Sequence, residues 1–148
     1  MAKKVDSNVY VGALITSLLS AILFIFEDFA GWYNYNQYVE SWGLVAFSFE
    51  QPISLVVFGA AAIVLLFSSY ISYLKISGKK IPKDSLEKAF LGSLVIFVLS
   101  LVGGLYFIIS MLWDEPTNWW LGPTFYAGVI GAGLTALFFK LALQGEKK

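Results

Sequence analysis

The stretch ISLVVFGAAAIVLLFSSYISYL, residues 53 to 74, carries no charged side chain. A hydrocarbon layer about 30 Å thick takes roughly 20 helical residues at about 1.5 Å each, and this run is long enough to cross it. Three further runs share the property: about 9 to 26, about 89 to 113 and about 121 to 143. The last holds a single charge, Lys140, close to its end. Core helices of soluble domains rarely run so far without a polar face, and here four do so in succession. Only 14% of the 148 residues are charged, against about 25% in a soluble domain, so the apolar excess must face something other than water. The expected fold is an all-α membrane protein: a four-transmembrane-helix antiparallel bundle, forming one integral membrane domain over 1–148.

Charge placement orients it. Lys3 and Lys4 precede the first span, Lys75, Lys79, Lys80, Lys83 and Lys88 surround the 75–88 connection, and Lys140, Lys147 and Lys148 close the chain. In a four-span chain these three places lie on one side, and they hold every basic residue. Glu27, Asp28, Glu40, Glu50, Asp114 and Glu115 lie on the other. The positive-inside rule then puts the N- and C-termini in the cytoplasm of a plasma-membrane protein. The first span reads as retained rather than as a cleaved leader, because no small-x-small site precedes Glu27-Asp28. All five tryptophans, at 32, 42, 113, 119 and 120, fall on the outer side, as an interfacial aromatic belt requires.

The outer loop, 27 to 52, contains GWYNYNQYVESWGL at 31–44. Period-two alternation in Trp32–Asn36 and in Val45–Glu50 predicts two half-buried strands, with the turn at Ser41–Gly43. Such an extracytoplasmic β-hairpin is marginal alone and must lie on the helices or on a partner. Trp32, Tyr33, Tyr35, Tyr38, Trp42, Gly43 and Leu44 are the candidate partner contacts, since rigid aromatics anchor interfaces. In the 75–88 loop, Pro82 breaks the chain, and Asp84 with Glu87 fits a capping box at the start of span three. Pro116 forces a turn, and the short outer connection makes spans three and four antiparallel neighbours.

Lipid is as apolar as Leu, so helices pair where small residues let backbones approach. Span four carries Gly128, Ala132 and Ala136 at four-residue spacing; span one carries Gly12, Thr16 and Ser20. These rows serve packing within one bundle or contact with another chain. On the second reading Gly128, Ala132 and Ala136 are interface residues.

The plan resembles the claudin/PMP22 tetraspan group. Trp32 precedes Gly43-Leu44 as in that family's first-loop motif, although Val45 stands in place of the motif's next Trp and its two cysteines are absent. Gly122-Pro-Thr-Phe-Tyr-Ala-Gly128 is similar to the opening of the family's last span, and Gly103-Gly104-Leu105 through Ser110 to Trp113 to the end of its third. The resemblance implies lateral assembly and contacts through the first loop.

Enzyme chemistry finds no purchase. Cys, His and Arg are absent, which removes thiolates, imidazole bases and the usual haem or zinc ligands. No Gly-rich phosphate loop is present, and the spans hold no ionisable group except Lys140, which can snorkel to the cytoplasmic interface. No cofactor is expected. The expected partners are the lipid bilayer and other membrane chains, in a homo-oligomer or a hetero-complex, and no nucleic acid. The expected function is structural: a non-catalytic protein that assembles laterally. One alternative is an accessory subunit of a larger membrane enzyme, such as a respiratory or monooxygenase assembly. Another is a small cation pathway from Glu27, Asp28 and Glu50, which no polar stripe continues through the spans.

Overall fold

The computed structural model describes residues 7–33, 40–43, 52–114, 116 and 118–146. Four helices dominate: α1 is Ser7–Phe26, α2 Pro52–Ile76 and α3 Lys83–Asp114. The fourth, α4, is one continuous rod in three parts. Pro123–Tyr126 is α-helical, Ala127–Ala132 is a wider π-helical segment, and Gly133–Glu146 is α-helical again. Each of the four is long and apolar enough to cross a membrane.

The helices form an antiparallel ring in which each packs on two neighbours. α1 meets α2 and α4, and α3 meets α2 and α4. The pairings run in opposite directions along each partner. Ser17 meets Ser69 while Phe24 meets Phe58, and Gly12 faces Phe138 while Gly131 faces Ser20. At the lysine-rich end the core is Tyr10, Ala13, Ile71, Leu86, Ala89, Phe139 and Ala142; mid-bundle it is Ala21, Phe24, Ala62, Leu65, Ile96, Ala127 and Ala132.

The polarity is inverted relative to a soluble bundle. Every buried polar residue among those described is Ser or Thr: Ser17, Ser20, Ser68, Ser69, Ser72, Ser93, Ser100, Thr124 and Thr135. All of these except Ser100 make a side-chain hydrogen bond. Several join helices: Thr16 to Thr135 at 2.8 Å, Ser17 to Ser69 at 2.8 Å and Ser68 to Ser93 at 3.3 Å. Others only donate back to a carbonyl one turn earlier, as Ser72 does to Ser68 at 3.0 Å, which satisfies a hydroxyl in an apolar interior. Outside, Ile15, Leu19, Val56, Ile63, Leu99 and Val102 stand exposed.

Turn chemistry explains the α2–α3 corner. Gly78 sits at φ 76°, where a Cβ is strained. Around it Lys79 N–H donates to Leu74 O and Gly78 N–H to Lys75 O, the paired bonds of a Schellman cap. Helix α3 starts at Lys83, six residues before the apolar run. Asp84 therefore lies inside the first turn instead of capping it. It pairs with Lys88 at 2.6 Å and Glu87 pairs with Lys83 at 3.5 Å, so the capping box does not form. These exposed i,i+4 pairs add only about 0.3–0.5 kcal/mol each.

At the other end lies a three-stranded antiparallel sheet, in the order β2-β1-β3. Strand β1 is Asp28–Tyr33, β2 is Glu40–Gly43 and β3 is Asn118–Leu121. This revises the expected hairpin. The first strand starts earlier, because a register shift between Asp28 and Ala30 lets Phe29, Ala30 and Gly31 all bury in sequence. Ser41–Gly43 belongs to a strand and is not the turn. Gly43 is needed there for close approach, since an added Cβ would stand 3.0 Å from Glu27 O and 3.2 Å from Asp28 Cα. The second predicted run, Val45–Glu50, lies outside the described residues. The α3–α4 connection adds a strand that was expected to be only a turn. Leu121, the expected start of span four, closes that strand, and α4 begins at Pro123.

Candidate functional site

The sheet end of the bundle is where the chain departs from a plain helical rod, and it is built on Phe107. This side chain of α3 is fully buried beneath the sheet. Trp42 packs edge-on to it at a centroid separation of 5.4 Å, Trp32 lies at 5.9 Å and Trp119 at 6.1 Å. Trp32 and Trp42 also meet edge to face at 5.9 Å. One tryptophan comes from each strand, so Phe107 joins all three strands to α3. Edge-on aromatic pairs contribute about 0.5–1.5 kcal/mol each beyond area burial. Phe29 extends the cluster to α2 through Phe58 at 5.6 Å and to α4 through Phe125 at 5.7 Å.

Backbone contacts lock the seam between β1 and α4. Thr124, buried in the first turn of α4, lies with Oγ1 2.8 Å from Leu23 O and 2.7 Å from Glu27 O, and its single proton is shared between them. Leu23 O already accepts Glu27 N–H at 2.9 Å, so the Thr124 hydroxyl adds a bond from another element at the C-terminal end of α1 and reaches the Glu27 carbonyl just beyond it. Gly122 N–H donates to Phe29 O at 2.8 Å. A Cβ on Gly122 would overlap the Asp28 carbonyl, with the Asp28 carbon at 2.7 Å. Trp120 covers the bare face of its cross-strand partner Gly31, whose added Cβ would collide with the indole. In mid-bundle, Ser20 of α1 donates at 3.2 Å to the carbonyl of Ala127, the first residue of the π-helical segment of α4.

The sequence-derived contact residues divide sharply. Trp32 and Trp42 are half-buried and face Phe107 within their own chain. Gly43 is buried, and Tyr33 is exposed. Tyr35, Tyr38 and Leu44 lie outside the described residues. Gly128, Ala132 and Ala136 are all buried in this chain's own bundle, where Gly128 lies against Ser100 and Phe24. Two residues that carry the cap escaped sequence reading. Phe107 sits in an unbroken apolar run with nothing to mark it. Thr124 follows Gly122-Pro123, which signals a helix start but not a bond to the end of a different helix.

The surface beyond the cap is apolar at helix level and acidic at sheet level. Trp113 is 86% exposed near the end of α3, with Ile109 and Leu112 exposed beside it. Glu27 and Asp114 are exposed and Asp28 half-buried. Among the described residues no three His, Cys, Asp or Glu side chains converge, and Glu50 lies outside them. Two apolar grooves flank α4: about 470 Å³ between α3 and α4, and about 520 Å³ between α1 and α4.

These features define a class: a four-helix ring of inverted polarity, sealed at one end by a tryptophan-bearing sheet. Comparison with protein-family models, with curated proteins and with solved structures finds no match for the chain.

Proposed function

We propose that this chain is a four-span plasma-membrane protein that works without catalysis, by assembling laterally with other membrane chains in a claudin-like manner. The inverted polarity carries the reading. Hydroxyls are gathered inside, and apolar side chains cover the outward faces of all four helices. A bilayer is the solvent that suits such a surface. The charge asymmetry supports cytoplasmic termini and an external sheet. Lys75, Lys79, Lys80, Lys83 and Lys88 lie at the end away from the sheet, and Glu27, Asp28 and Asp114 lie beside it. Lateral assembly draws on what the fold leaves uncovered. The span-four glycines and the inner tryptophans are used within the chain, so contact with a neighbour falls to the outer helix faces and to Trp113. Large rigid aromatics of that kind anchor interfaces.

Expression of the chain alone, extraction in a mild detergent and mass spectrometry of the intact particle test this. A homo-oligomer is expected, weakened when Trp113 is replaced by Ala. A strict monomer alone that copurifies from its source membrane with cofactor-bearing chains would instead make it an accessory subunit.

A further inference from the structure

We infer that the groove between α3 and α4 is a binding site for an anionic phospholipid of the cytoplasmic leaflet, with Lys140 at its head-group end. The inference rests on the membrane reading above. The groove holds about 470 Å³, and its walls are apolar except for Lys140. It follows α3 from Phe90 to Phe97 and α4 from Lys140 up to Val129. The ten residue steps from Ile130 to Lys140 rise about 15 Å, half of a hydrocarbon core of about 30 Å. An acyl chain of one leaflet has that length.

Lys140 sits at the right depth for a phosphate. It shares the groove with Phe90, two residues beyond Lys88, where the charged first turns of α3 give way to apolar sequence. The neighbouring lysines are engaged: Lys83 and Lys88 pair with Glu87 and Asp84, and Lys75 lies over the Tyr10 ring at 5.8 Å. Among the described residues no carboxylate pairs with Lys140. Its side chain is exposed, so its ammonium is available to a head group. The other groove provides an internal contrast. It runs between α1 and α4 nearer the sheet, from Leu134 to Leu121, and no charged residue lines it. That groove accepts acyl chains without choosing among head groups.

The test is native mass spectrometry of the full chain, released from nanodiscs of equal phosphatidylglycerol and phosphatidylcholine. The expected result is phosphatidylglycerol retained about fivefold over phosphatidylcholine, the preference one interfacial lysine confers. Lys140→Gln brings the ratio to parity, Lys140→Arg keeps it, and free glycerol phosphate does not displace the lipid. No preference in the parent chain, or an undiminished one in Lys140→Gln, overturns the inference. Displacement by glycerol phosphate overturns it too, because the groove would then play no part. A chain released from membranes by alkaline carbonate would overturn the underlying membrane reading instead.

Discussion

Replacing Phe107 with Ala is expected to detach the sheet from the helices. The ring is fully buried and meets Trp32, Trp42 and Trp119 at centroid separations of 5.9, 5.4 and 6.1 Å. Its removal leaves a cavity under all three strands at once, and losses of about 3–5 kcal/mol follow from truncating a buried Phe. The strands hold few residues, and a sheet this small is marginal without packing beneath it. Denaturant unfolding in detergent micelles should show the loss of stability. The near-ultraviolet circular dichroism of the tryptophans should collapse while the far-ultraviolet helical signal stays. An unchanged near-ultraviolet spectrum would mean that the cap does not depend on Phe107.

The second large effect is expected at Gly128. An added Cβ would overlap Ser100 Oγ and stand 2.5 Å from Ser100 Cβ. The hydroxyl can rotate away, but the Cβ can move only with the α3 backbone. Gly128→Ala should therefore cost about 3 kcal/mol, the upper end for overpacking. Gly128→Leu should cost more. Gly131→Ala should be milder, because its close contact is Ser20 Oγ, with Ser20 Cβ at 3.1 Å. Combining Gly128→Ala with Ser100→Gly restores the space and should recover most of the loss. Such coupling marks residues in direct contact. If the double variant were no more stable than Gly128→Ala, the close approach of α3 and α4 at this level would be wrong.

The sequence was most legible where one physical term dominates. Uninterrupted apolar length placed all four helices, and their ends shift by only a few residues except at Lys83. There the exposed pairs Lys83–Glu87 and Asp84–Lys88 extend α3 beyond its apolar run. Hydropathy is blind to that extension. The sheet was half legible. Alternation near Trp32 pointed to a strand, but β1 is flanked by β2 and by β3, and β3 comes from a connection about ninety residues away in the chain. Trp119 and Trp120 read as an interfacial belt because pairing across that distance leaves no local pattern. The small-residue row on span four was legible as a close-packing face. Which partner fills it is a tertiary fact, and Ser100 and Phe24 of the same chain lie against Gly128. Thr124 shows the same limit, since its hydroxyl serves carbonyls roughly a hundred positions earlier.

The central claim is a bilayer-spanning ring with its sheet outside and its lysine-rich corner inside. The chain has no Cys, so a single introduced thiol reports one position without background. Tyr33→Cys and Lys79→Cys, both at exposed positions, bracket the two ends. The measurement is labelling of intact cells with a membrane-impermeant maleimide. The account predicts that Tyr33→Cys labels at once and that Lys79→Cys labels only after the membrane is opened. Equal labelling of both in intact cells, or labelling of Lys79→Cys alone, would contradict it.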